Sequence, residues 1–229
     1  MEHFFLPKIE KIFTVDGDTY RHLTRSRRMR VGETAVFCDG SGMDYLARMT
    51  ACTKESATFE VEERTPSLTE SELRFILFQC LPKGDKMEEV LHRCTPLGIS
   101  RFVPVKSERS ADAPGENKRK RWEKIVLSAA TQCGRSILPE IAPICSFDQA
   151  IEQMREADAA FICYENSDAP IPPLPQKGTV AFLIGPEGGL APKEAEQLAH
   201  CSLGRRILRT EEAAAFLMPI LLDRSGNLY

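Results

Sequence analysis

No apolar run in this sequence is long enough to cross a bilayer. The amino-terminal stretch MEHFFLPKIEK has neither the hydrophobic segment nor the small-residue cleavage site of a secretory signal. The expectation is a cytoplasmic protein with no membrane partner. The four histidines, His3, His22, His92 and His200, are scattered without the spacing of a metal site, so no metal is expected. The eight cysteines lie no closer than twelve residues apart, which is neither a zinc pattern nor a compact disulfide framework. Cys80, Cys163 and Cys201 sit in or beside apolar segments and read as reduced core thiols. There is no internal repeat, and no Walker loop, HExxH, GxSxG or GxGxxG. A net charge of -3 argues against coating nucleic acid through overall charge, which leaves local clusters as the place to look.

What is present is an ordinary globular composition, 42% hydrophobic and 28% charged, enough for one large or two smaller domains. Up to about residue 66 the pattern is of short strands at 11–15, 33–38, 44–51 and 57–62. Asp39-Gly40-Ser41-Gly42 forms a hairpin signal between two of them, and a small β-barrel or meander is expected. Between the first strands, residues 20–30 carry five arginines and no acid. Arg21, Arg25, Arg27, Arg28 and Arg30, with His22, read either as an RNA-backbone contact surface or as a solvated helix face.

A Pro-containing polar stretch at 65–69 marks a boundary, and an α/β pattern follows. Strands are expected at 73–81, 101–105 and 159–164. Helices are expected from Met87, around Trp122 to Cys133, and after Ser146, where Gln149 completes a capping box. Lys118 to Arg121 grips nucleic acid or merely solubilises a helix start. Cys133 beside Arg135 is an activated nucleophile or an inert thiol buried on an apolar helix face.

The stretch 179–222 organises the rest. Thr179 to Ile184 is a buried strand, broken by Gly185-Pro186-Glu187-Gly188-Gly189. A helix, a second glycine-bearing turn and a last apolar helix follow. Ligands in α/β proteins sit at strand carboxyl ends, and glycines admit close approach. This turn is therefore a binding site or a plain strand-to-helix connection. A phosphate site is the weaker version, since the Lys-Ser/Thr of such sites is missing.

Five stretches together resemble the bacterial 16S ribosomal RNA uridine-N3 methyltransferases, a SPOUT-class family. They are LPKGDKM from Leu81, SERS from Ser107, Gln132 to Arg135, Ile184 to Gly189, and Leu203-Gly204 with Ile207 to Glu211. The resemblance covers nearly the whole chain. It implies an α/β fold of the SPOUT type, mostly a parallel sheet with a C-terminal trefoil knot, over residues 72–229, preceded by a small PUA-like RNA-binding β-barrel over residues 1–68. It also implies a homodimer acting on 16S rRNA or the 30S subunit.

S-adenosylmethionine would be held by three loops, at Tyr164 and Glu165, at Gly185 to Gly189, and at Ser202 to Thr210. Leu183, Ile184, Leu203, Ile207 and Leu208 supply apolar walls, and Gly204 and Thr210 belong to the third loop. Lys83, Lys86, Arg109 and Arg135 would line the RNA approach. Methylation at N3 of uracil requires loss of the N3 proton, to a base or with a cation stabilising the ring oxygens. Arg209 is that cation or a salt-bridge partner of Glu211 or Glu187. Glu211 and Glu187 are a base, a partner of the sulfonium, or capping carboxylates. A non-catalytic dimeric RNA-binding or ribosome-assembly protein on the same fold is the alternative.

Overall fold

A computed structural model describes residues 3–227 and divides them into two compact units. One holds residues up to Glu70 together with Leu127–Leu138, and the other Ser71–Val126 with residues from Pro139 on. Among the described residues no helix is long and apolar enough to cross a membrane.

In the first unit, β1 (His3–Phe5), β2 (Ile12–Val15), β3 (Thr34–Cys38), β4 (Met43–Cys52) and β5 (Ala57–Pro66) form one sheet in the order β1-β3-β4-β5-β2. All pairs are antiparallel except β1 with β3. The expected hairpin is present. Asp39 Oδ1 accepts the Ser41 N–H at 3.0 Å, while Gly40 and Gly42 take φ of 84° and 80°, which side chains disfavour. Register shifts at Leu46/Ala47 and Met49/Ala51 curl the β4–β5 ribbon. The core of this unit packs Phe13 of β2, Phe37 of β3 and Phe59 of β5, with Phe37 edge-on to Phe59 at 4.8 Å between centroids.

The second unit is built on a parallel sheet ordered β12-β10-β11-β6-β7-β8, with β9 also on β7. The strands are β6 (Leu73–Cys80), β7 (Ile99–Lys106), β8 (Glu140–Ile141), β9 (Cys145–Ser146), β10 (Ala159–Cys163), β11 (Gly178–Ile184) and β12 (His200–Cys201). Strands buried on both faces explain the continuous apolar runs. Phe75, Leu77, Phe102, Phe161 and Phe182 face α2 (Lys86–Cys94), Trp122 and Val126 of α3 (Glu116–Cys133), and α6 (Thr210–Arg224). Phe78, Val103, Val105, Ile162 and Leu183 face α4 (Phe147–Arg155).

The capping box of α4 forms as its sequence requires. Ser146 Oγ accepts the Gln149 N–H at 3.2 Å, and Gln149 Oε1 accepts the Ser146 N–H at 3.0 Å. After the glycine turn only a four-residue helix forms, α5 (Pro192–Ala195). Pro192 fits its first position, and Glu194 Oε2 accepts the Ala191 N–H at 3.0 Å. Helix α6 runs unbroken through Pro219, which lies on its exposed side where water can satisfy the freed carbonyl.

Candidate functional site

Parallel pairing places Cys163 beside Ile184 and Ile184 beside Gln79, so β10, β11 and β6 end level with one another. The loops that leave β10, β11 and the neighbouring β12 enclose a cleft of about 420 Å³, within the usual range for small-molecule sites. Its walls are Tyr164 and Glu165 after β10, Gly185 to Gly189 after β11, and Leu203 to Thr210, which lead into and begin α6, with Lys86, Cys163, Ile184 and Ala213. The second and third loops are tied together by Thr210, whose hydroxyl donates to the Gly185 carbonyl at 2.7 Å.

Gly189 explains one of the glycines. It holds φ at 67°, and a Cβ there would run into the Glu165 carboxylate. The close approach of the two loops therefore depends on the missing side chain.

The charged groups form a chain along the rim. Lys86 Nζ stands 3.1 Å from Glu187 Oε1 and 3.6 Å from Glu211 Oε2. The Lys83 N–H donates to both Glu187 oxygens, at 3.0 and 3.2 Å. Partial burial works to raise the Glu187 carboxyl. Its own backbone N–H, the Lys86 ammonium and the Lys83 N–H outweigh that and hold it below the usual carboxylate value. The same hydrogen bond to Glu187 raises Lys86. Glu211 is 5% exposed, and its Oε2 makes no hydrogen bond among the described residues, although Lys86 offers a longer ion pair. Arg209 Nη1 lies 3.9 Å from Glu211 Oε1, with the rest of its side chain in solvent.

Two expected wall residues fall elsewhere. Leu183 alternates with Ile184 along β11, so it points to the opposite face of the sheet and packs under α4. Ser202 does not line the cleft; its Oγ closes a local turn with the Gly204 N–H at 3.2 Å.

The residues expected on the RNA approach divide. Lys83 and Arg109 are exposed, and Arg109 Nη1 donates to the Gly188 carbonyl at 3.0 Å, so its guanidinium also braces the glycine turn. Lys86 belongs to the cleft. Arg135 is a correction: it is 3% exposed, with Nη2 2.6 Å from Glu70 Oε2 and Nε 3.1 Å from Oε1. A guanidinium enclosed by a carboxylate in this way is a structural ion pair rather than a contact for RNA.

Cys133 is likewise exposed rather than buried on an apolar face, because the last turn of α3 leaves it at the surface. Partial burial still raises its thiol, which keeps it a poor nucleophile. In the first unit, Arg21, His22, Arg25, Arg27, Arg28 and Arg30 are all exposed, on α1 (Gly17–Arg21), a π-helical turn at His22–Ser26 and the residues after it. Arg21 pairs with Asp18, and Arg27 lies over the Phe4 ring at 5.8 Å. The side chains of Arg25, Arg28 and Arg30 make no ion pair among the described residues.

Arg205 and Arg206 line the cleft mouth and are exposed. Their signal was the GRRILR run itself, three arginines in six residues.

A fold of this kind with its cleft at the strand ends matches a known class. Residues 69–222 match the RNA methyltransferase domain family, and residues 15–62 the RNA methyltransferase PUA domain. The ribosomal RNA small subunit methyltransferase E of Bacillus subtilis is 31% identical over 224 residues, covering 90% of this chain and 88% of its own. The crystal structure of the Neisseria gonorrhoeae protein of that name, bound to S-adenosyl methionine, superposes with a TM-score of 0.87 at 31% identity, covering 97% of each chain. A putative methyltransferase from Legionella pneumophila, in complex with the same cofactor, gives 0.85 at 25% identity over 96% of each. The chain belongs to the ribosomal RNA small subunit methyltransferase E family.

Proposed function

We propose that this chain methylates N3 of a uridine in 16S ribosomal RNA, using S-adenosylmethionine held in the cleft. The single observation that carries the reading is the convergence of three loops, from β10, β11 and the start of α6, on one cavity at the carboxyl ends of parallel strands. The residues present fit the cofactor. Ile184, Leu203 and Leu208 offer apolar wall, and the Gly189 cradle offers close backbone approach. Glu165 and Glu187 line the cleft and Glu211 adjoins it through Lys86, so a cationic sulfonium held there would find carboxylates close by. When bound, the cofactor supplies an electrophilic methyl group.

The chain's own residues then deal with the acceptor proton. Glu211, buried and with one oxygen lacking a hydrogen bond, takes the N3 proton. Arg209, its guanidinium largely in solvent, stabilises negative charge on the uracil oxygens. Lys86 holds the Glu187 and Glu211 carboxylates together at the rim. Residues 72–229 form the methyltransferase domain, its C-terminal segment knotted. Residues 1–68 form the RNA-binding domain, through the exposed arginines of residues 21–30. The active form is a cytoplasmic homodimer whose second copy covers exposed Phe216 of α6, and the substrate is 16S rRNA or the 30S subunit.

Calorimetric titration tests the reading, with micromolar binding of S-adenosylmethionine expected. Nucleoside mass spectrometry of 16S rRNA treated with the purified protein should then show 3-methyluridine. Absence of cofactor binding would favour the non-catalytic RNA-binding alternative.

A further inference from the structure

Strand β6 is apolar from Phe75 to its end except at Gln79, which is wholly buried. Its Nε2 donates to the Cys80 carbonyl at 3.0 Å and to Thr210 Oγ1 at 2.9 Å, while Oε1 has no hydrogen-bond partner among the described residues. A leucine would fill a similar volume with no stranded acceptor, so folding alone disfavours glutamine here.

What the glutamine does is fix a proton. A hydroxyl carries one donor and two acceptor positions, and an amide NH₂ can only donate. Gln79 therefore occupies a lone pair of Thr210 Oγ1 and leaves the Thr210 hydrogen for the Gly185 carbonyl, 2.7 Å away. The end of β6, the turn after β11 and the first residue of α6 are locked by this two-bond relay. Within the same turn the Pro186 carbonyl accepts from the Gly189 N–H at 2.9 Å, and the Gly188 carbonyl from Arg109 at 3.0 Å. The carbonyls of residues 185, 186 and 188 are thus all engaged by protein, and these bonds hold the shape of the turn.

We propose that Gln79 is a positioning residue for cofactor binding, acting through the Thr210 hydroxyl to hold the glycine turn against the third loop. The inference rests on the cofactor reading above, and its test separates the two. S-adenosylhomocysteine is titrated into the wild type, Gln79→Leu, Thr210→Val and Thr210→Ser, and the melting temperature of each unliganded protein is measured. Gln79→Leu is expected to melt at or above the wild type yet bind roughly tenfold more weakly, with the KM for RNA unchanged. Thr210→Val is expected to share the weak binding, and Thr210→Ser, which keeps the hydroxyl, to restore it. Gln79→Leu binding as tightly as the wild type overturns the proposal, as does a lower melting temperature with unchanged affinity. Should Gln79→Leu fail to fold, the threonine pair decides, and equal binding by the valine and serine variants overturns it. A wild type that does not bind strikes the cofactor reading itself, and this inference falls with it.

Discussion

At the scale of single residues, the cleft separates groups by exposure. Glu211 is enclosed and Arg209 is 77% exposed at its side chain, although the two are only two positions apart in sequence and 3.9 Å apart in space. An exposed guanidinium contributes little to holding the fold, so a substitution here tests the role proposed for it with little cost to stability. Arg209→Ala should lower kcat by about a hundredfold, the size typical of removing one charge-stabilising donor. The cofactor Kd should stay within about threefold. Single-turnover kinetics with calorimetry reads both, and equal losses would return Arg209 to a structural part. Part of the cleft was legible as residue types: Gly185 to Gly189 and Ile207 to Thr210 line it, whereas Glu211 is not among its walls. Their pairings were not. That Lys86 bridges Glu187 and Glu211, 101 and 125 residues away, depends on strand order, and no local pattern carries it.

At the scale of elements, period and punctuation decided what could be read. The strands from β6 to β11 that run five residues or more show as apolar runs, and the box opening α4 shows as Ser and Gln three apart. β8, β9 and β12 have two residues each, too few for any period, and were invisible until neighbours paired with them. Leu183 was misplaced for a related reason. A fully buried strand has no polar face to reveal which side each residue takes, so the side toward the cleft is settled only by the layer that covers it. The turn between β11 and α5 depends on shape more than composition. Gly189→Ala puts a methyl against the Glu165 carboxylate at a left-handed position, and should cost roughly 1–2 kcal/mol of stability. Cofactor binding should suffer beyond that loss. Thermal melts with and without ligand measure the two, and a ligand-induced shift equal to the wild type's would show that the turn tolerates the side chain.

At the scale of the molecule, overall charge concealed the local cluster. The net charge of -3 coexists with exposed arginines at residues 21–30, of which the guanidinium groups of Arg25, Arg28 and Arg30 make no ion pair among the described residues. Replacing Arg25, Arg27 and Arg28 together by alanine should weaken RNA binding. It should also flatten the plot of log affinity against log salt by about two, near 0.7 for each phosphate no longer neutralised on single-stranded RNA. Filter binding across a salt series reads this, and an unchanged slope would move the RNA surface elsewhere. A boundary could be expected from the change of pattern near residue 66, and the compact units part after Glu70. The assignment of Leu127–Leu138 to the first could not, because a helix carries no mark of which core its far end joins.

The relay from Gln79 through Thr210 to Gly185 spans 131 residues of chain. During synthesis from the amino terminus, the glutamine and the glycine turn emerge well before the threonine that joins them. The cleft therefore cannot take its final form until the last helix has left the ribosome and docked. A nascent or carboxyl-truncated chain carries the basic turn at residues 21–30 but no finished cofactor cleft, so the RNA contact proposed for that turn would precede methyl transfer. Ligand affinity is thus a direct gauge of whether a chain has been completed.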